Sequence, residues 1–322
     1  MRSLLNTIAA CALLAVSVSA GAQDWPSKSS RILVGASPGG GTDIIARIIA
    51  DKFQSSMKQP FIVENRPGAS NTIAAEVTAK SAPDGYTMLV ATNTGTAIAP
   101  HLIKLGYDPE KGLIPVILLV TVPNVLVVNL DVPAKTAAEL VALVKASPDK
   151  YSYGSSGTGS TQHLAGEAFA HALGLKMTHV PYKGSSQAIT DLLGGQIQMT
   201  FETTSSAGAQ IAAGRIRPLA VMSPARAPKM PNVPTLAESG FPGIEMSTWY
   251  GLFVPAGTPQ AIVDKLYAET VKALKLPDVQ KRIDELAGDV GALTQAQFAD
   301  MVRADYQRFG KLVREANIIV QQ

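Results

Sequence analysis

The chain has 322 residues, 46% of them apolar, and a formal charge of +3 at pH 7. The length exceeds that of an ordinary single domain, and the apolar share is ample for buried cores. The charge is small and dispersed without a basic run, and aromatic residues make up only 6%, which argues against nucleic-acid binding.

Residues 1–22 read as an export leader. Arg2 supplies a positive start, "IAACALLAVSVSA" (8–20) an apolar stretch, and Ala20-Gly21-Ala22 a small-residue cleavage site, so the mature chain is expected to begin at Gln23. The stretch is too short for a membrane helix, and no other run of about 20 apolar residues exists. The single cysteine, Cys11, falls inside this leader. "IAAC" (8–11) resembles a lipoprotein cleavage box, but the apolar run continues past Cys11 where a mature lipoprotein turns polar. The mature chain then has no thiol for disulfides, metal sites or nucleophiles, and the expected compartment is the periplasm.

Past the leader, short apolar strands alternate with amphipathic helices, the mark of an α/β sheet. "RILVGA" (31–36) reads as a strand, and Ile44, Ile45, Ile48, Ile49 and Phe53 form a helical face. "FIVEN" (61–65) is a strand, 71–80 a helix and "YTMLVAT" (86–92) a strand. The alternation restarts after "VPNVLVVN" (122–129), where Thr136 and Glu139 make a capping box for a helix over 137–146. Strands at 151–155, 178–182, 197–203 and 218–223 then interleave with helices at 162–173, at 186–193 and up to Gly214. A proline-rich stretch leads to a strand over 249–257, and the tail is helical, with a second capping box at Thr294 and Gln297. The pattern predicts two α/β lobes, 23–123 with 248–322 and 124–247. They would be joined by two crossings near Pro123 and Thr248 and closed by hinge bending.

Three glycine-bearing loops sit at strand carboxyl ends, where open α/β sheets bind ligands. In "SPGGGTD" (37–43), Pro38 stops the strand, the glycines allow a tight turn, and Thr42 or Asp43 is placed to cap the next helix. In "GSSGTGST" (154–161), Ser160 is the expected cap. "NRPGASN" (65–71) is the third. The first turn of a helix offers free N–H groups and the positive end of its dipole, which hold an anionic oxygen without a charged side chain. Neither of the first two loops has the lysine of a nucleotide-binding P-loop, and Ile44 stands where a dinucleotide fingerprint needs glycine. "GSSGT" (154–158) ends in Thr158 and is not a hydrolase elbow. His163 and His171 are eight residues apart, not four, so they form no helical metal pair. Of the four histidines, His163 is the candidate to face the cleft. No catalytic triad, metal site or cofactor is expected, and the chain is read as a binding protein and not an enzyme.

The loops lie in a longer pattern that resembles the Bug receptors, the periplasmic substrate-binding proteins of tripartite tricarboxylate transporters. The resemblance covers essentially the whole mature chain. It rests on "PGGGTDIIAR" (38–47), "VENRPGASN" (63–71), "APDGYTMLVAT" (82–92), "GSSGTGSTQHLAGE" (154–167), "VPYKGSSQAITDLLGGQI" (180–197), "RPLAVMSPARAPKMPNVPTLAESGFPG" (217–243) and "WYGLFVPAGTP" (249–259). It implies a two-lobed, Venus-flytrap fold of the type II-like periplasmic class. It also implies a monomer that captures a small carboxylate through loop amides, hydroxyls and water and delivers it to a membrane permease. A sensor partner that signals to a histidine kinase is the alternative.

Carried over by position, the first-lobe site comprises Ser37, Gly39, Gly40, Gly41, Thr42 and Asp43, with Ser70, Asn71, Asn93, Thr94 and Thr96. The second-lobe site comprises Ser155, Ser156, Gly157, Thr158, Gly159 and Ser160, with Gln162 and His163 behind it. Tyr182, Phe201, Glu202, Thr203 and Thr204 form the remaining wall. The chain departs from the family at Gly35 and Ala36, where proline and an aromatic residue are usual, so a reshaped pocket is expected there. It departs also at Thr96, Ala99 and Gln187, and at Glu202, which replaces the usual aspartate.

Overall fold

The computed structural model describes residues 25–148, 150–291 and 293–315. The leader, its cleavage site and Cys11 lie outside them. No helix among the described residues is long and apolar enough to cross a membrane.

In chain order, the first elements are β1 (Ser30–Val34), α1 (Gly41–Met57), β2 (Phe61–Asn65), α2 (Thr72–Ala79), β3 (Thr87–Thr92) and β4 (Leu113–Val128). Next come α3 (Ala137–Ala146), β5 (Ser152–Ser155), α4 (Thr161–Leu173), β6 (Thr178–Pro181), α5 (Ser185–Leu193), β7 (Met199–Thr203), α6 (Thr204–Ala212) and β8 (Arg217–Val221). The chain finishes with β9 (Ser247–Pro255), α7 (Gln260–Leu274), α8 (Pro277–Glu285), β10 (Asp289–Val290) and α9 (Gln295–Glu315).

Two half-sheets share one strand. β1 pairs in parallel with β2 and β3, and β3 pairs antiparallel with β9. β9 pairs antiparallel with β4 from Leu113↔Pro255 to Pro123↔Ser247. One residue later β4 enters the other half, pairing with β7 from Asn124↔Thr203 and with β8 from Val125↔Val221. β5 pairs in parallel with β7 and β6. The central parallel strands of the first half, β1 and β3, are largely apolar and buried, as expected of strands covered on both faces. β1, for example, buries four of its five residues.

Local sequence explains the helix boundaries. α1 buries Ile45, Ile49 and Phe53 on one face, and it ends where Lys58 turns left-handed (φ 58°) and bonds the carbonyl of Gln54. Thr136 caps α3, its Oγ1 accepting the Glu139 N–H at 3.1 Å. The Glu139 carboxylate takes the N–H of Lys135 and not that of Thr136. The box at Thr294 and Gln297 is reciprocal, with bonds of 2.9 and 3.3 Å. β4 starts at Leu113, well before the apolar stretch 122–129 after which the alternation restarts. Its first part, "LIPVILLVT", has no period of its own and is defined by pairing with β9.

Helix α9 spans the junction of the two halves. Near its start Phe298 packs edge-on against Trp249 at 5.5 Å, within a cluster that includes Leu33, Leu89 and Phe253. Three turns later Phe309 is fully buried in a different cluster, with Leu126, Leu164, Phe169 and Phe201. The indole N–H of Trp249 donates to Asp305 between these anchors, at 2.7 Å. Phe309→Ala should cost about 3–5 kcal/mol, the usual price of truncating a buried aromatic. Chemical denaturation of the purified protein checks this, and a loss under about 1 kcal/mol would mean that the second half of α9 is not docked.

Candidate ligand-binding site

The amino ends of four helices meet where the strands of both half-sheets terminate. Gly40, Gly41 and Thr42 come from α1; Ser156, Thr161 and Gln162 from the α4 loop and first turn; Ser185 from α5; Thr203 and Ser206 from α6. Ala36, Asn71, Thr92, Thr94, Thr248 and Tyr250 complete the cleft, whose empty space is about 320 Å³, part of it open to solvent. None of these residues is charged. The donors are hydroxyls, amides and helix-terminal N–H groups, a set that suits an anion held by dipoles.

The first loop differs from expectation in its cap. Gly40, not Thr42 or Asp43, is the N-cap of α1, and no side chain caps it. Asp43 is buried, and its carboxylate accepts the Gly39 N–H at 3.0 Å, Arg47 Nε–H at 2.9 Å and Asn65 Nδ2–H at 2.9 Å. Burial pushes its pKa up, but the bonds from Arg47, Gly39 and Asn65 outweigh it and leave the carboxyl below its ordinary value. Asp43 therefore folds the loop and uses the Gly39 amide in doing so, and neither residue lines the cleft. The first intrahelical bond runs from Ile44 N–H to Gly40 C=O, so the amides of Gly41, Thr42 and Asp43 precede the helical ladder.

The third loop carries local strain. Ala69, Ser70 and Asn71 are three consecutive non-glycine residues with φ of 43°, 55° and 70°, a region costly for L-residues. Asn71 lies against the end of β1, where a Cβ on Gly35 would stand 2.5 Å from the Asn71 carbonyl oxygen. The space freed at position 35 is thus filled by Asn71, and only Ala36 of that unusual pair opens on the cleft. β3 runs into a single π-type turn over Thr94–Ile98. Thr94 lines the cleft, whereas Thr96 donates to the Thr92 carbonyl and faces a separate groove beside Phe253 and Tyr306.

The second loop is stiffened from below. Ser160 caps α4, accepting the His163 N–H at 3.2 Å. Gly157 and Gly159 have φ of 132° and 80°, which glycine alone adopts without cost. His163 does not reach the cleft. Its Nδ1 accepts the Gly159 N–H at 3.0 Å, and its ring stacks on His179 at 4.1 Å. His179 in turn bonds Ser155 Oγ at 2.7 Å. Burial, and then the charge of His163, push His179 down to about 3. Burial lowers His163 as well, and the two stacked rings prop the loop from beneath. Tyr182 donates to Asp191 and is likewise not in the lining.

The jaws are closed on each other. Ser37 Oγ donates to the Lys183 carbonyl, Gly41 N–H to Ser206 Oγ at 2.9 Å, and Ser70 Oγ to the Thr158 carbonyl. Thr161 N–H donates to Thr94 Oγ1, Thr161 and Thr248 hydroxyls meet at 2.7 Å, and so do Ser205 and the Tyr250 phenol. Four buried polar atoms at the ends of β3 and β7 have no protein partner: Thr92 Oγ1, Asn93 Oδ1, Glu202 Oε2 and Thr204 Oγ1. Sequence reasoning missed Thr161, Ser185, Ser206, Thr248 and Tyr250, and also Thr92 at the end of β3. The first three begin helices after strands and follow the rule that singled out the glycine loops. Thr248 and Tyr250 arrive on β9, and nothing local announces them.

Comparison with known proteins agrees with this geometry. The family described as "Tripartite tricarboxylate transporter family receptor" matches residues 45–318. The structure titled periplasmic binding protein BugD superposes with a TM-score of 0.88 at 33% identity, covering 92% of this chain and 100% of that one. An R. palustris protein, Rpa4515, solved with adipate, gives 0.89 at 34% identity over 92% and 99% of the two chains. MatC from Rhodopseudomonas palustris, with bound malate, gives 0.86 at 31% identity over 90% and 100%. The two-lobed α/β architecture, the glycine loops and these matches lead to one conclusion: the chain belongs to the tripartite tricarboxylate transporter receptor family, a family of solute-binding proteins.

Proposed function

We propose that this protein captures a small organic carboxylate between two lobes, 23–123 with 248–322 and 124–247, and delivers it to a tripartite tricarboxylate-type membrane transporter. The observation that carries the reading is the convergence of four helix N-termini on a cleft lined only by neutral groups. Such a site binds an anion through oriented dipoles, and it releases the anion on opening because water replaces the same hydrogen bonds. The change of half-sheet between Pro123 and Asn124, and the start of β9 at Ser247, support a hinge at those two points. Relatives that hold adipate and malate support a carboxylate. Export by residues 1–22 and binding without turnover complete the proposal.

The test is a thermal-shift screen of the purified protein against mono-, di-, hydroxy- and amino-carboxylates, malate and adipate included. A ligand present at about 1,000 times its Kd adds about 4 kcal/mol to stability and raises Tm clearly. If no carboxylate shifts Tm, the reading fails. A ligand recovered chemically altered would contradict binding without turnover, and co-purification with the permease subunits checks delivery. Gly41→Val should weaken the best ligand at least about tenfold, or about 1.4 kcal/mol. A Cβ there would lie 2.3 Å from Ser205 Oγ and 2.5 Å from the Tyr250 phenol oxygen, so these hydroxyls must shift and the contact across the cleft is disturbed. Unchanged affinity by calorimetry, with the far-ultraviolet spectrum retained, would refute the closed geometry.

A further inference from the structure

Behind the cleft wall sits a carboxyl group with an uneven set of bonds. Glu202 is fully buried. Its Oε1 accepts Gln162 Nε2–H at 2.7 Å, the Thr203 N–H at 2.8 Å and Ser185 Oγ–H at 2.9 Å. Its Oε2 is buried without a partner. The three residues that bond Oε1 all line the cleft. Gln162 is fixed in orientation, because its own carbonyl oxygen accepts the hydroxyls of Ser156 and Thr161. The donors of the wall thus go to one oxygen and the other has no protein partner, behind a cleft whose lining holds no cation.

A ligand carboxylate entering this cleft comes up against a wall that covers a second carboxyl group, and no positive side chain lies in that lining. Two like charges in a buried site do not both stay ionised. We propose that Glu202 is held as the neutral acid and that its Oε2–H is the donor that meets the ligand carboxylate, so that capture of the anion is coupled to one proton. The inference rests on the carboxylate reading above. Burial pushes the Glu202 carboxyl up, and the bonds from Gln162, Thr203 and Ser185 reduce that rise without cancelling it.

The surrounding elements supply no competing charge. From β9 the Tyr250 phenol is the titratable group that feels Glu202, and burial pushes it up to about 12, so it remains a neutral hydroxyl. On α4, His163 is engaged with Gly159 and Glu167, and on α5, Asp191 is engaged by Tyr182. β4 and α6 carry no charged residue. Glutamine is the test substitution, because its amide keeps an acceptor for the three donors and places an N–H where Oε2–H stood.

Two arms test the proposal, and the first needs no ligand. A carboxyl whose folded pKa is raised above the unfolded value gives stability that is complete below about pH 4.5 and is lost as pH rises through the folded pKa. Glu202→Gln should therefore gain on the wild type in Tm as pH rises from 5 to 8. A flat difference over that range overturns the neutral acid. In the second arm malate and adipate are titrated calorimetrically in two buffers of different ionisation enthalpy. The wild type should show pH-dependent proton uptake on binding, with affinity falling up to about tenfold per pH unit where free Glu202 is ionised. Glu202→Gln should bind within about threefold of the best wild-type value and take up no proton at this site. Loss of binding in the glutamine variant, with no proton uptake in the wild type, overturns the proposal and indicates an ionised Glu202 that receives a ligand ammonium or hydroxyl. Absence of any binding by either protein, with the Tm difference growing as expected, refutes the carboxylate reading and leaves the neutral acid standing.

Discussion

Strand β4 has to serve two half-sheets at once, and the rest of the molecule is arranged around that demand. From Leu113 to Pro123 it pairs with β9, and from Asn124 it pairs with β7 and β8. A strand buried on both faces along its length must be apolar throughout, and fourteen of its sixteen residues are, prolines included. The exceptions are Thr121 and Asn124. Asn124 stands where one half gives way to the other, and its amide bonds the Phe201 carbonyl while its side-chain oxygen accepts from Thr248. The polar residue at the junction thus ties both halves to the edge of the cleft.

The cleft is lined without a single charged residue, which fits the anion proposed for it. A lysine or arginine would bind an anion more strongly, but its own desolvation is costly and its hold hard to release. Helix termini and hydroxyls divide the task among many weak donors, each of which water can replace. Arg47 illustrates the separation, for it is spent on Asp43 outside the lining, where it braces the first loop. The two histidines behave alike: His163 is buried and His179 half-buried, and both support glycine-loop geometry from beneath.

Much of this was legible in the sequence. The alternation of strands and helices, the boxes at Thr136 and Thr294, the cap at Ser160 and the placing of glycine loops at strand ends follow from local chemistry and short spacing. What local reading missed depends on distant partners. Gly40 caps α1 because Asp43 turns back to Gly39 and is held by Asn65, a residue from the next strand. His163 turns inward because His179 offers a ring to stack on. Thr248 and Tyr250 enter the cleft only because β9 lies between β3 and β4. The uneven bonding of Glu202 is assembled from three separate elements.

The two aromatic anchors of α9 have a mechanical consequence. A helix is stiff along its axis, and here Phe298 belongs to the core of one half and Phe309 to that of the other. A rotation that parts the jaws must either bend the helix between these rings or slide one ring within its socket. α9 therefore ties the core of one half to the core of the other. Any parting of the two halves would load this one helix at both ends.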